Sequence, residues 1–248
     1  MPKASIKISK PKNNTIDIKS VVKRIKTDIK GFDELLEGGF PDKSLILLSG
    51  TCGTGKSIFG INFLVNGALK GEPGVYISLE ESPEENIRQM KTFGWPVDEL
   101  IKERKLLIIQ PTLYNYEALL TKIEDAVNMI GAKRLVLDSL SIIGMYFENV
   151  YKVRKSVLEL SSVLKRLGCT TIAIDETENE NDLSAFHVEE FVVDGLIMMY
   201  FTRKEGHFER SIAIRKMRST KHSHKIHPFG ILSPGGVVVY PGKIAGKK

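Results

Sequence analysis

The segment GTCGTGKS, residues 50–57, constrains this chain more than any other feature of its sequence. An apolar run, residues 45–48, precedes it, and the apolar-rich stretch 58–65 follows it. The segment satisfies the Walker A pattern G-x-x-x-x-G-K-[ST], in which backbone N–H groups surround phosphate oxygens between a strand and a helix. We therefore predict a phosphate-binding loop at this position. Its members are Gly50, Thr51, Cys52, Gly53, Thr54, Gly55, Lys56 and Ser57.

The chemistry of a bound nucleotide assigns roles within this loop. Glycine permits positive φ angles and lets the backbone approach the phosphates closely, and the following helix adds the positive end of its dipole. We expect Lys56 to reach the β- and γ-phosphates of ATP and the Ser57 hydroxyl to bind Mg²⁺. The alternative interpretation is a glycine turn beside an exposed lysine.

Acidic residues follow two other apolar runs of the sequence. Asp138 ends the run 135–137, where an acid at the carboxyl edge of a parallel sheet can hold Mg²⁺ through water. Glu80 and Glu81 close the run 75–79, and we expect one of the two to face the γ-phosphate, because adjacent side chains of a strand point to opposite faces. The alternative to a catalytic or metal role is a structural one, with Asp138 as a helix cap and Glu80 and Glu81 as surface charges.

The order of apolar and helical segments predicts an α/β fold. Short runs rich in branched residues alternate with segments of helical spacing, which is typical of a mostly parallel central sheet flanked by helices. These runs are residues 45–48, 75–79, 106–109, 135–137 and 170–174. Beyond Gly195, the runs 196–201, 211–214 and 237–240 leave no room for crossover helices, so we predict antiparallel strands at the C-terminal end.

Three helix ends carry local signals. Ser82, Pro83 and Glu85 form the pattern of a capping box with proline at the first helical position. Gly131 and Gly168 each follow a stripe of apolar residues at helical spacing, where a C-cap favours glycine.

Length and composition place limits on the class of protein. The 248 residues, 42% of them hydrophobic, suffice for one sizeable domain. The sequence contains no apolar run of eighteen residues and no apolar signal segment, so we expect no membrane partner and a cytoplasmic location. Cys52 and Cys169 lie far apart without metal-ligand spacing around them, which disfavours a disulfide or a zinc site.

Charge is distributed unevenly along the chain. Residues 1–30 carry nine Lys and Arg against two Asp and Glu, and residues 203–248 carry eleven against two, whereas residues 31–202 carry sixteen against twenty-six. Basic ends of this kind leave nucleic acid open as a partner, because phosphate neutralisation dominates its affinity, but a solvated surface explains them equally well.

Several motifs together resemble the KaiC-like branch of the RecA superfamily of ATPases. They occur in a consistent order over residues 26–240, nearly the whole chain. The motifs are GFDEL (31–35), GGFP (38–41), the loop at 50–57, GEPGVYISLEESPEE (71–85), FGW (93–95) and KMRSTKH (216–222). The resemblance implies a single RecA-like domain over residues 26–242 with basic tails at 1–25 and 243–248.

The resemblance also implies an active site shared between subunits of a ring, commonly a hexamer. Glu80 and Glu81 match the family's catalytic glutamates, and we favour Glu80 as the base. Lys216 and Arg218 match a basic pair that a neighbouring subunit supplies to the γ-phosphate, with His222 near the nucleotide. Such cations offset charge on the transferring group and make hydrolysis depend on assembly.

The resemblance has limits. The best-known member has two tandem domains and phosphorylates itself on an adjacent serine and threonine, whereas residues 174–181 here contain no such pair. Autokinase activity is therefore not expected. The favoured function is Mg²⁺-dependent ATP hydrolysis. The alternatives are a DNA-binding, recombinase-like or regulatory protein with ATP as an assembly ligand, and an ATP-gated assembly module that hardly turns over.

Overall fold

The fold was analysed in a computed structural model that describes residues 22–112, 115–147 and 149–246. The strands are β1 (Arg24–Ile25), β2 (Phe40–Pro41), β3 (Leu45–Gly50), β4 (Gly74–Ser78), β5 (Leu106–Ile109), β6 (Arg134–Asp138), β7 (Thr170–Glu176), β8 (Gly195–Lys204), β9 (His207–Met217), β10 (Ile226–Leu232) and β11 (Gly236–Val239). The α-helices are α1 (Lys56–Leu69), α2 (Pro83–Thr92), α3 (Val97–Lys102), α4 (Tyr116–Ile130), α5 (Val150–Leu167) and α6 (Glu189–Val192). Short 3₁₀ helices span Asp33–Leu36 and Leu140–Tyr146.

Across these residues the main sheet has nine strands in the order β11-β10-β9-β8-β3-β7-β6-β4-β5. The strands from β5 to β8 in this order are parallel, and β8, β9, β10 and β11 pair antiparallel. The predicted α/β class, with a mostly parallel sheet and antiparallel C-terminal strands, is confirmed. A separate two-stranded sheet joins β1 to β2.

The helix signals in the sequence correspond to real helix ends. Ser82 caps α2 and forms a full capping box with Glu85. Gly131 and Gly168 adopt left-handed conformations at the C-caps of α4 and α5. These local patterns therefore fix where the helices start and stop.

Helices cover both faces of the sheet. Alternate residues of β3 divide between the two cores, since Ile46 packs in the cluster that contains α1 and Leu47 in the cluster that contains α4 and α5. The strand is buried at every position, as expected for a central parallel strand. No helix in the described ranges has the length and apolar character needed to cross a membrane.

Register places four chain segments at one edge of the sheet. Gly50 of β3 lies opposite Glu176 of β7, and Ser78 of β4 lies opposite Asp138 of β6. All four strands are parallel, so their carboxyl ends form a common edge, which is where open α/β sheets bind ligands. We refer to this edge as the carboxyl edge, and to the opposite one as the amino edge.

Candidate functional site

The loop from Gly50 to Ser57 connects β3 to α1, as its sequence pattern predicts. Gly55, at the N-cap of α1, has φ +99°, and a Cβ there would lie 2.6 Å from Cδ1 of Ile231. A Cβ on Gly50 would lie 2.3 Å from the carbonyl oxygen of Met199. Both positions therefore exclude side chains. Thr54 is buried and donates a hydrogen bond to the carbonyl of Thr51, whereas Cys52 is exposed.

The side chain of Lys56 is folded back onto this loop. Its Nζ donates to the carbonyl oxygens of Gly50, at 2.8 Å, and Thr51, at 2.9 Å. Oε1 of Glu176, at the end of β7, lies 3.4 Å from the same nitrogen. Lys56 is only 5% exposed, so these protein oxygens take the place of water around its ammonium group.

Asp138 ends β6 close to the start of α1. The hydroxyl of Tyr76 donates to Oδ2 of Asp138 at 2.6 Å. Burial raises the pKa of Asp138, whereas hydrogen bonds from Tyr76 and Ser57 lower it in part. The same burial, with the neighbouring Asp138 charge, raises the pKa of Tyr76 well above its usual value. A carboxylate and a serine hydroxyl thus lie together at the carboxyl edge.

Glu80 and Glu81 follow β4 at the same edge. The strand was expected to run to residue 79, but it ends at Ser78, and both glutamates lie in a bend. The alternation of a strand therefore does not decide which one faces the loop. Glu80 accepts a hydrogen bond from Ser139 at 2.9 Å, next to Asp138. Partial burial, followed by the charge of Asp138, raises the pKa of Glu81.

Lys216 and Arg218 lie at the amino edge, away from the loop of their own chain. Met217 pairs with Gly195 of β8, which in turn pairs with Ile46 of β3. Gly50 is four residues further along β3, which is about 13 Å at the rise of a strand. The structure therefore does not bring these two cations to the Gly50–Ser57 loop of the same chain.

Backbone and carboxylate oxygens hold the two cations in place. Nζ of Lys216 donates to the carbonyl of Glu190 at 2.9 Å, and Arg218 pairs with Oδ1 of Asp194 at 3.1 Å. Burial, together with the adjacent charge of Arg218, lowers the pKa of Lys216. His222 is half-buried, with Nδ1 3.0 Å from the carbonyl oxygen of Ser223.

Arg210 and Phe201 lie near the loop but outside the sequence motifs, and Tyr76 lies inside one of them without a predicted role in the site. Arg210 of β9 donates to the carbonyl oxygen of Gly53 at 3.0 Å and lies over the ring of Phe201, 4.2 Å from its centroid. Tyr76 contacts Asp138 from inside β4. Arg210 and Gly53 are 157 residues apart, and they meet because β8 pairs with β3 on one side and with β9 on the other.

Comparisons with known proteins show the family to which the chain is similar. A family model described as the KaiC ATPase matches residues 25–244. An uncharacterised protein of the UPF0273 group from Thermotoga maritima is 35% identical over 241 residues, covering 90% of this chain and 98% of that protein. The circadian clock protein KaiC2 of a Synechocystis species is 37% identical over 226 residues, covering 87% of this chain but 39% of that longer protein.

A solved structure shows the same fold. The crystal structure of a KaiC-like protein from the hyperthermophilic archaeon Pyrococcus horikoshii OT3 has a TM-score of 0.82 and 42% sequence identity. The match covers 89% of this chain and all of that one. The family model covers nearly all of the chain, and the chain also has the Gly50–Ser57 loop and the sheet order described above. This protein therefore belongs to the KaiC family of P-loop ATPases.

Proposed function

We propose that this chain is an Mg²⁺-dependent ATPase whose copies form a hexameric ring. Each active site is shared between two neighbouring copies. One observation carries the proposal. Within one chain, the loop that contains Lys56 lies at the carboxyl edge, whereas Lys216 and Arg218 lie at the amino edge. A head-to-tail arrangement of copies would bring the two edges together, and repeating it in a closed rotation gives a ring.

The residues at the carboxyl edge fit a magnesium nucleotide. Lys56 is a buried cation whose partners are loop carbonyls and one carboxylate, so phosphate oxygens can replace them without a loss of charge pairing. Asp138 and Ser57 provide the carboxylate and hydroxyl oxygens that Mg²⁺ prefers. The bound ion would neutralise charge on the β- and γ-phosphates.

The protein side chains then divide the work of hydrolysis. The loop amides and Lys56 bind the phosphates, and Glu80, held by Ser139, orients and deprotonates the attacking water. Lys216 and Arg218 of a neighbouring copy offset the charge that develops on the γ-phosphate. His222 of the same copy lies in the loop that follows β9 and contributes to the nucleotide contact. Hydrolysis in this scheme requires assembly.

Acidic side chains on the carboxyl edge disfavour DNA as the principal ligand. Glu176, Glu178 and Glu180 are exposed in and after β7, close to the phosphate-binding loop. Their charges would repel a phosphate backbone that approached this edge. Faster phosphate release when DNA is added to the wild-type protein would instead favour the recombinase-like alternative.

Phosphate release, measured against protein concentration, tests the proposal. Wild type should show a specific rate that rises with concentration, whereas Lys56→Ala and Arg218→Ala should each be inactive. An exposed lysine on α4 provides a matched control, since Lys122→Ala removes a positive charge from a residue with no proposed role in the site. A wild-type rate no higher than that of Lys56→Ala would exclude an ATPase.

Mixing the two inactive variants tests whether sites are shared. The Lys56→Ala chain keeps its cations, and the Arg218→Ala chain keeps its loop, so a mixed ring contains some complete sites. Random 1:1 mixing of a head-to-tail ring completes about one quarter of the sites, so about one quarter of the wild-type rate should return. No recovery after verified co-assembly would contradict shared sites.

A further inference from the structure

A cavity of about 730 Å³ lies between the start of β9 and the segment 242–246, which follows β11. β10 pairs with β9 at residues 211–213, so residues 207–210 of β9 extend past β10 and leave this space beside them. We call it the hairpin cavity, because it lies beside the turn that joins β8 to β9. Small-molecule sites in proteins typically span about 300–1,000 Å³, so the hairpin cavity has the size of a ligand site.

Hydrogen bonds to β10 hold the segment 242–246 in place as one wall of the cavity. The amide of Ala245 donates to the carbonyl oxygen of Ile226 at 2.8 Å. Nδ1 of His227, a residue only 2% exposed, lies 2.9 Å from the carbonyl oxygen of Lys243. The backbone at Lys243 is therefore fixed before any ligand binds, which lowers the entropy lost on binding.

Positive charge dominates the lining of the hairpin cavity. Among the described residues that line it, Lys204, Arg210 and Lys243 are cationic, and Glu209 alone is acidic. Nζ of Lys204 lies 3.2 Å from Oε2 of Glu209, so these two charges offset each other. Arg210 and Lys243 leave a net positive charge, which favours an anionic ligand.

Arg210 has an unused hydrogen-bond donor at this cavity. One of its terminal nitrogens donates to the carbonyl oxygen of Gly53, but its Nε is buried and has no hydrogen-bond partner in the part of the chain that the structure describes. Buried donors in native proteins are nearly always paired with protein, water or a ligand. Phosphate oxygens accept short, charge-assisted hydrogen bonds from arginine. The unpaired donor and the net charge together indicate a phosphate group.

An exposed aromatic ring lines the same cavity. Phe208 is 56% exposed, and its ring packs on that of Phe201 with the two centroids 4.9 Å apart. Arg210 lies over the same Phe201 ring, so Phe201 holds the guanidinium and the Phe208 ring close to each other. Exposed aromatic rings beside cations bind nucleobases by stacking. The exposed surface of Phe208 can therefore stack on a flat ring of the ligand.

Nearby carboxylates favour a small ligand over a nucleic acid. Glu178 and Glu180 are exposed, and Oε2 of Glu180 accepts a hydrogen bond from Thr202 of β8 at 3.3 Å. A long phosphate backbone that left the cavity along β8 would meet this negative charge. An anion that fits within the cavity avoids it.

We propose that the hairpin cavity binds a small phosphate-bearing molecule with a flat ring, the chemistry of a nucleoside monophosphate. Arg210 and Lys243 bind the phosphate, and Phe208 stacks on the ring. The residues of the Gly50–Ser57 loop do not line this cavity. The inference therefore holds whether or not that loop hydrolyses ATP.

Equilibrium dialysis with radiolabelled AMP, GMP, CMP and UMP tests the site. These probes lack the β- and γ-phosphates that Lys56 is proposed to bind, so Lys56→Ala should bind them as wild type does. Ribose 5-phosphate has the phosphate but no base, and as a competitor it should bind about tenfold more weakly, the scale of one stacking interaction. Thermal melting of each variant checks the fold.

Substitutions at the cavity should change the affinity in both directions. Lys243→Ala and Phe208→Ala should each lower the affinity for the mononucleotide by about tenfold. Glu209→Gln should raise it by about two- to fivefold, because the change removes a competing carboxylate. Lys122→Ala and Tyr151→Ala are matched controls that remove an exposed cation and an exposed aromatic ring elsewhere, and they should have no effect.

Three outcomes would overturn the inference. No saturable binding of any of the four mononucleotides up to about 1 mM would show that the cavity is not such a site. A loss of affinity in Lys56→Ala or in the control variants as large as that in Lys243→Ala would place the binding elsewhere. Tighter binding of a single-stranded oligonucleotide than of any mononucleotide, lost in Phe208→Ala, would indicate a nucleic acid as the ligand instead.

Discussion

The ammonium group of Lys56 lies 3.4 Å from Oε1 of Glu176, although the two residues are 120 positions apart in the chain. The pairing follows from strand register, because Gly50, at the start of the loop, lies opposite Glu176 at the end of β7. Lys56 is buried and Glu176 is exposed. In the proposed nucleotide complex the carboxylate of Glu176 would therefore compete with phosphate oxygens for the lysine.

Substitution of Glu176 by glutamine should tighten nucleotide binding. The change removes both the competing partner of Lys56 and a negative charge beside the phosphates, so we expect affinity to rise by about three- to tenfold, the scale of a partly exposed ion pair. Titration with a fluorescent ATP analogue measures the effect. The control is Glu178→Gln, which lies two residues further along and outside contact with Lys56. A nucleotide affinity that is unchanged or lowered in Glu176→Gln would contradict the competition.

The two glutamates after β4 should differ in their effect on hydrolysis. Glu80→Gln should lower the turnover number by about 100-fold or more, the usual contribution of a general base, while nucleotide affinity stays near that of wild type. Glu81→Gln should lower the turnover number far less. Single-turnover phosphate release with a parallel binding titration separates the two effects, and the reverse ranking would assign the base to Glu81.

Local sequence signals predicted the elements of the fold where a short pattern determines the structure. The box at Ser82 and the glycines at positions 131 and 168 act within one turn of a helix, so they can be recognised without tertiary information. β10 was missed, since Pro228 and Gly230 interrupt its pattern. The strand forms nonetheless because β9 and β11 pair with it on both sides.

The candidate site likewise has one part that a local sequence pattern predicts and another that depends on tertiary structure. The loop at Gly50–Ser57 is contiguous, so its sequence predicts its conformation. Contacts of Lys56 with Glu176 and of Arg210 with Gly53 depend on which strands are neighbours, and no short segment encodes that order. The positions of Lys216 and Arg218 at the opposite edge likewise emerge only from the antiparallel pairing of β8 with β9.

Arg134 should be essential for the stability of the fold. It is 1% exposed, pairs with Glu72 at 2.6 Å, and donates to the carbonyl oxygens of Phe63, at 2.7 Å, and Lys26, at 2.8 Å. Arg134→Ala leaves these oxygens unpaired and opens a cavity, so the free energy of unfolding should fall by about 3–5 kcal/mol. Denaturant unfolding measures the loss.

An exposed pair provides the control for Arg134. Lys91 and Asp98 are 2.7 Å apart on the surface, and Lys91→Ala should change the free energy of unfolding by about 1 kcal/mol or less. Equal effects of Lys91→Ala and Arg134→Ala would show that the Arg134 network adds nothing beyond an ordinary surface pair.

Asp175 should make the stability of the protein depend on pH. Burial, followed by the charge of Glu189, raises the pKa of Asp175 from its usual 3.8 to about 7. Hydrogen bonds from the Ala185 amide and from Ser141, and the charge of Lys56, lower this pKa in part. Between about pH 4 and pH 7 the folded protein keeps a proton that the unfolded chain has released. The contribution of Asp175 to the free energy of unfolding therefore falls as pH rises through this range and is constant above it.

Asp175→Asn removes this titration. In the wild type the Ala185 amide and the Ser141 hydroxyl donate to the two carboxylate oxygens of Asp175, at 2.7 and 2.9 Å. The side-chain amide of the variant can still accept from Ala185 and donate to Ser141. The difference in free energy of unfolding, variant minus wild type, should become more positive between pH 5 and pH 8, because only wild type acquires a buried charge there. Denaturant unfolding at both pH values measures it, with Asp98→Asn on the surface as the control. A difference that does not change with pH would show that Asp175 is already ionised in the folded protein at pH 5.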